Sequence, residues 1–468
     1  MSVSSCGVCL QYMCWPDSMQ TRPIIRSYGR TESIDLIRTE RHLAHLGATT
    51  MKSSLVDSRR GAAAMAPAAL EAAVAVNDFI YMSEGTSNSY LVVTAGGNVV
   101  INTGMGFEAP HHKKLFGEVS DAPLRYIILT QGHVDHVGGV DCFKEEDTEV
   151  IAHKNNAACQ DDDERIEGFR RMRSFVFFSR IISQSLRALA ENPEAVVQSK
   201  PVPDRLVDDH YVFELGGLRF ELLSVVGGET IDSLAVWLPE HKVAFVGNQF
   251  GALFPHFPNL YTVRGDRYRY VLPYLESLER ILALEPEVLI TGHFEPIYGR
   301  EIIRAEVERL RDAVVYVHDK TLEGMNQGKD VATLMQEIEL PEHLEVGQGY
   351  GNVRWAVKTI YESYGGWFQF RSTTELYATE AGAVYADVVE LAGGPAPLAA
   401  RARARLEVGQ PLEAIHLCEM ALADAPDNRE ALEVYLEAHQ LLLEKGGGEN
   451  FWETGWLEHQ IARTREKL

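Results

Sequence analysis

Short runs of β-branched and aromatic residues, broken by glycines, recur from Asp78 to about residue 310. DFIYMSEG, SNSYLVVTAGGNVVINTG and LRYIILTQG come first; YVFELGGLRFELLSVVGG, SLAVWLPEHKVAFVGN and PEVLITGH follow. Their length and punctuation are those of strands joined by tight turns. Charged, helix-favouring stretches lie between them, His111 to Val119 and Asp161 to Ala190. Two strand-rich blocks with helices between and around them predict an α/β layered domain, because an apolar sheet face must be covered by another layer.

Beyond Glu301 the pattern changes. AEVERLRDAVVYVHDKTLEGMNQG repeats apolar residues at steps of three and four, with Gly328 as its stop. A second helical region runs from Leu398 to about Lys445. In it Gly409, Ala414, Ala421 and Pro426 take the small-residue and turn positions of a tetratricopeptide-like hairpin. One hairpin packs on a neighbour and does not make a peptide-binding array. The expected organisation is a poorly ordered extension over 1–66, with Met51 or Met65 as alternative starts, then a layered domain over 67–310. An all-α domain over 311–445 and a tail over 446–468 complete it.

The formal charge is −23 and is spread along the chain. That argues against nucleic acid or an anionic membrane as partner, since both reward a basic face. No apolar run approaches the ~18 residues of a membrane span. The opening MSVSSCGVCLQYMCWPDSMQ lacks a basic stretch leading into an apolar one, so no secretory signal is expected and the cytoplasm is the expected location. Six cysteines are too few for a disulfide framework in such a chain. Cys6 and Cys9, near Cys14, have the CxxC spacing, but no second CxxC supports a zinc or redox role; Cys142, Cys159 and Cys418 read as small buried apolar residues.

The chemistry concentrates where the strands end. RYIIL delivers a loop, Thr130 to Gly139, holding His133, Asp135 and His136. Three polar side chains in a tight turn need partners that the turn itself does not supply. Imidazole and carboxylate suit zinc, manganese or iron(II). A surface loop with hydrogen-bonded histidines is the plainer reading of HVDH alone. Against it, LITGH sets His293 and SVVGGET sets Glu229 at the ends of two further strands.

LTQGHVDHVGG, VVGGET, FVGN and LITGHFEP resemble the successive metal motifs of the metallo-β-lactamase superfamily. The resemblance implies a four-layer αββα sandwich with a metal site at one edge of the two sheets. PNLYTVRGD, VHDKTLEGMNQG, GNVRWAVKTIYESYGGWF and ENFWETG resemble segments of alkylsulfatase-type enzymes. That likeness implies a helical dimerisation domain over 311–445 and a homodimer.

By the same resemblance one cation falls to Asp135, His136 and His293. The other falls to residue 131, His133 and Glu229, with residue 248 as bridge. Gln131 stands where the motif HxHxDH begins with histidine, Asn248 where a bridging carboxylate is common, and Asn102 where an aspartate is common. Amide oxygens are poor zinc ligands, so one firmly bound zinc and a weak or absent second are expected. A single zinc lowers the pKa of its water to about 7 and so provides a metal-bound hydroxide. Asp135 is then expected to orient that water or relay its proton, and Gln131 to hydrogen-bond to it or to substrate. Asn259 and Arg264 match positions that hold sulfate in alkylsulfatases, where a guanidinium offers a planar fork to an oxyanion. FRRMRSFVFFSRII reads as an amphipathic helix over the core or, less favoured, a lid with an apolar wall.

The expected activity is zinc-dependent hydrolysis of a sulfate ester of a small hydrophobic alcohol. A carboxylic ester, thioester or lactone is the alternative substrate. A non-catalytic dimeric scaffold with a degenerate metal site is the competing class.

Overall fold

The computed structural model of the chain describes residues 54–64, 70–191, 198–260, 262–267 and 269–468. Two mixed sheets of seven and six strands form its centre. The first holds β1 (Val74–Ala75), β2 (Ile80–Ser83), β3 (Ser89–Thr94), β4 (Gly97–Ile101), β5 (Leu124–Ile128), β6 (Glu149–His153) and β7 (Arg205–Val207), in that order. β1 to β4 are antiparallel neighbours, and β4 to β7 are parallel.

The second sheet holds β8 (His210–Leu215), β9 (Leu218–Ser224), β10 (Leu234–Leu238), β11 (Val243–Gly247), β12 (Val288–Thr291) and β13 (Ile297–Tyr298). Only β11 and β12 pair in parallel there. Gly216 and Gly217 turn β8 into β9 with φ of 57° and 87°. Two positive-φ residues in a two-residue loop match the twist of a hairpin, and glycine takes both without a Cβ penalty.

Side-chain parity builds the layers. Val99 and Ile101 of β4 face the other sheet and meet Phe220, Val236 and Phe245. Val100 between them points outward to Ala109 and Phe116 of the helix Ala109–Val119. On the far side Ala235, Val246 and Leu289 pack against Tyr274 and Leu278 of Val271–Leu282 and against Val307, Leu310 and Val314 of Arg300–Asn326. Both faces of the central strands β4, β10 and β11 are therefore buried, which is why these strands read as near-continuous apolar runs. The result is the four-layer αββα sandwich.

Helix Arg300–Asn326 leaves the sandwich with its buried stripe at three- and four-residue steps and ends just before Gly328, at φ 76°. Helices Pro395–Glu407, Pro411–Asp424 and Arg429–Gly446 then pack through Ala402, Ala414, Cys418, Val434 and Ala438. These small residues let the backbones approach, which is what the hairpin pattern requires. Cys418 is buried, whereas Cys142 and Cys159 are only partly so.

Two stretches differ from expectation. Residues 446–468, read as a tail, contain the helix Phe451–Arg465, capped by Asn450, which accepts the N–H groups of Trp452 and Glu453 at 3.0 and 3.2 Å. Trp452 is buried among Phe177, Phe178 and Tyr350. Within the extension, residues 54–64 are docked: Arg59 donates to the Glu295 carbonyl at 2.9 Å, and Arg60 pairs with Glu84 and Glu295 beneath the Phe294 ring. Cys6, Cys9, Cys14, Met51 and Met65 lie outside the described residues.

Candidate metal and substrate site

The loop after β5 is fixed by its own glycines. A Cβ on Gly139 would lie 2.5 Å from the Thr103 carbonyl oxygen and 2.3 Å from Ala109 Cβ, so the loop reaches the end of β4 only with glycine there. The short helix Val134–Val137 follows, and His136 donates its N–H to the His133 carbonyl at 2.9 Å. Asp135 and His136 thereby face His293, delivered by the end of β12.

Ligand atoms of Asp135, His136 and His293 lie within 4.8 Å of one another. His136 Nε2 is 3.5 Å and His293 Nε2 4.0 Å from Asp135 Oδ2. Tetrahedral zinc with bonds of ~2.0–2.1 Å separates its ligands by ~3.3 Å, so donor types and spacing fit a divalent cation with modest tightening. Burial works to raise the Asp135 carboxyl, but the imidazoles of His136, His293 and His133 hold it below the usual carboxylate range. Burial lowers His136 to about 4 against the pull of Asp135. The carboxylate is thus ionised and the His136 ring neutral at neutral pH, the states a cation requires.

The residues expected around a second cation lie next to this group but are engaged otherwise. Gln131 accepts the Asn248 N–H on Oε1 at 3.2 Å and places Nε2 3.2 Å from His133 Nδ1. With both ends engaged and its side chain buried, Gln131 does not line the cavity. His133 Nε2 faces Asp266 Oδ2 at 3.5 Å, beside Arg264 Nη2 at 3.3 Å. Glu229 receives the Tyr350 hydroxyl at 3.3 Å and faces Arg269 Nη2 at 3.6 Å.

Arg269 also approaches Asp266 at 3.9 Å. Burial would raise both carboxyls. The His133 contact, with Arg269 and Arg264, instead holds Asp266 well below its ordinary range, and Arg269 likewise holds Glu229 below its own. Guanidinium groups therefore neutralise the carboxylates here, and among the described residues His133 and Glu229 are not part of the close donor group.

A cavity of about 190 Å³ opens on the group. Asp135, His293, Asn248, Glu229 and Arg264 form its polar side; Val134, Phe178, Ile181, Ile182 and Phe451 form its apolar side. Arg264 lines it, whereas Asn259 does not: its carbonyl sits behind, accepting Arg269 Nη1 at 2.7 Å. A larger cavity of about 680 Å³ shares His133 and Glu229 but touches none of Asp135, His136 and His293. The segment FRRMRSFVFFSRII forms helix Glu167–Phe177 and enters Ser179–Glu191. It walls the smaller cavity through Ser174, Phe178, Ile181 and Ile182, packs Phe177 and Phe178 against Trp452, and leaves Met172 and Phe175 exposed.

Residues 82–293 match the family model of the metallo-beta-lactamase superfamily. The chain carries a metallo-β-lactamase domain. Residues 330–449 match the alkyl sulfatase dimerisation family, so a domain of that type follows it. A linear primary-alkylsulfatase of Pseudomonas sp. is 28% identical over 298 residues, covering 58% of this chain and 54% of the relative. The alkyl/aryl-sulfatase of Saccharomyces cerevisiae is 23% identical over 400 residues, covering 78% and 60%. The chain thus spans little more than half the length of these curated relatives. A solved stereoselective inverting sec-alkylsulfatase from Pseudomonas sp. superposes with a TM-score of 0.72 at 19% identity, over 85% of this chain and 66% of the other, which establishes the shared fold. No helix among the described residues is long and apolar enough to cross a membrane.

Several site residues lay outside the sequence reading. Asp266 ends the quoted PNLYTVRGD, and Arg269 follows three residues later, but neither carries a local signal of its partner. Tyr350 and Phe451 reach the cavity from the helical half of the chain, and only its fold brings them there.

Proposed function

We propose that this chain is a divalent-metal-dependent hydrolase acting on an ester of a hydrophobic alcohol, with a sulfate ester as the preferred bond. The observation that carries the proposal is one cavity that joins a carboxylate–imidazole donor group and Arg264 to the apolar wall of Phe178, Ile181, Ile182 and Phe451. Asp135, His136 and His293 would hold one cation per chain, zinc being the expected ion. When bound, it supplies Lewis acidity and a water acidic enough to react at neutral pH.

The protein's own groups do the rest. Asp135, kept ionised, accepts a proton from water at the cavity floor. Arg264 offers N–H donors to the ester's anionic head, in reach of the same cavity. The lid residues exclude water around the alkyl part. At about 190 Å³ the cavity is below the ~300–1,000 Å³ of pockets for drug-sized ligands; it takes the head and first carbons, and a longer tail runs along the lid.

A carboxylic ester, thioester or lactone is the second reading, favoured by the single close donor group among the described residues. A homodimer is supported by the dimerisation match and by Trp367, Phe370 and Leu391, which are 70, 85 and 89% exposed within it. The test is hydrolysis of dodecyl sulfate beside a long-chain acyl ester by zinc-supplemented protein, with His136→Ala as control. Zinc-dependent turnover lost in His136→Ala is expected. Turnover that survives the substitution, or none on either ester, overturns the reading, and the latter favours a scaffold.

A further inference from the structure

The amide of Asn102 is oriented by the backbone. Its Oδ1 accepts the Thr130 N–H at 2.9 Å, so its Nδ2 faces His136 Nδ1 at 3.0 Å. An amide nitrogen only donates. His136 Nδ1 must accept, and the single proton of the neutral ring then resides on Nε2.

The Asn248 side-chain amide lies 3.3 Å from His136 Nε2 and 3.2 Å from His293 Nε2, and its Oδ1 is buried without a partner. As placed, Asn248 Nδ2 faces His136 Nε2; a proton on that nitrogen calls for the amide turned end for end, with its oxygen toward the two rings.

We infer that Asn102 is a positioning residue that holds His136 in its Nε2–H tautomer, opposing coordination through that nitrogen and weakening the hold of Asp135, His136 and His293 on a divalent cation. The inference rests on the proposal that these three form the cation group. A histidine that ligates through Nε2 keeps its proton on Nδ1 and needs an acceptor there. When a cation enters, the His136 proton must pass from Nε2 to Nδ1, opposite the amide N–H. Two donors then face each other where both side chains are buried, unless Asn102 turns and gives up the Thr130 N–H. A carboxylate at 102 accepts Thr130 N–H and Nδ1–H together. Asn102 has φ 57°, a conformation that asparagine and aspartate share, so Asn102→Asp keeps the backbone.

The test compares the full-length wild type with Asn102→Asp. Zinc affinity, from competition with a chromophoric chelator, is expected to tighten about 10–100-fold in Asn102→Asp. Independently, ring ¹⁵N–¹H correlations of histidine-labelled, metal-free protein, assigned with His136→Gln, should show Nε2–H in wild type and Nδ1–H in Asn102→Asp. Nδ1–H in the wild type overturns the inference, and needs no variant to fold. Equal or weaker zinc affinity in folded Asn102→Asp overturns it too. Zinc binding to neither protein overturns the metal reading of the site itself, and the ring-proton measurement still decides the tautomer.

Discussion

Arg269→Met removes the cation that neutralises Glu229. Arg269 is 8% exposed; it faces Glu229 at 3.6 Å and Asp266 at 3.9 Å and donates to the Asn259 carbonyl at 2.7 Å. Methionine replaces most of the apolar stem but no charge. Glu229, 4% exposed, keeps only the Tyr350 hydroxyl, and its Oε2 has no partner even now. Removing one member of a buried pair costs about 3–5 kcal/mol, against about 0–1 for an exposed pair. The sign with pH follows from the same contact. In wild type the Glu229 carboxyl is held low, so its stabilisation is present above the ordinary pKa near ~4.3 and lost as pH falls toward the depressed value. In Arg269→Met burial acts unopposed by Arg269, and the penalty present at neutral pH is relieved as acid protonates Glu229. Urea unfolding of the sandwich at pH 7.5 and 5 should therefore show a gap between wild type and variant that narrows in acid. Adding Glu229→Gln should recover about 2–3 kcal/mol of it at pH 7.5. A cost below about 1 kcal/mol, or a gap that widens in acid, would refute the pairing.

His112 is buried with its Nε2 unpartnered, and burial lowers its pKa to about 3. The unfolded chain binds that proton near ~6.5, so stability falls as pH drops below this value, by about 2 kcal/mol between pH 7 and 5; His112→Gln should remove that component from the urea titration. Phe178→Ala opens the apolar wall and removes a ring 5.4 Å from Phe451; KM for dodecyl sulfate should rise about tenfold (~1.4 kcal/mol) while that for a short-chain ester stays within about twofold. Trp452→Ala, at a 1% exposed ring, should destabilise by about 3–5 kcal/mol in thermal unfolding.

What was legible in the sequence follows from range. Strand signals are local, so runs such as SNSYLVVTAGGNVVINTG announced strands before any partner was known, whereas the parity that turns Val99 and Ile101 inward and Val100 outward shows only in the fold. The HVDH loop was legible because its residues are neighbours, and His293 because it ends an apolar run. Gln131 was read as reaching water, but its partner is the Asn248 N–H, supplied by another strand end. Asp266 and Arg269 carried nothing that named His133 and Glu229, since an ion pair across the sheets has no periodicity to betray it. The last helix was hidden because Phe451, Trp452, Leu457 and Ile461 sit among charged residues, with too weak an apolar stripe to separate it from a tail.

The guanidinium pair also sets how the site responds to losing its cation. Arg264 and Arg269 against Asp135, Glu229 and Asp266 leave these five groups one unit negative. A divalent cation at Asp135, His136 and His293 makes the balance one unit positive, which suits an anionic ester. Chelation reverses that sign, whereas the arginines stay. Unit charges ~4 Å apart interact by about 4 kcal/mol at an effective dielectric near 20. Even a third of that, about 1.4 kcal/mol, is tenfold in affinity. Dodecyl sulfate should therefore bind chelator-treated protein at least about tenfold more weakly than the zinc-loaded form, while a neutral long-chain ester keeps its affinity within about twofold. Both can be read by calorimetry below the detergent's aggregation concentration. Equal losses for the two ligands would mean that the cation acts on binding through shape alone, and that its charge does not select the substrate.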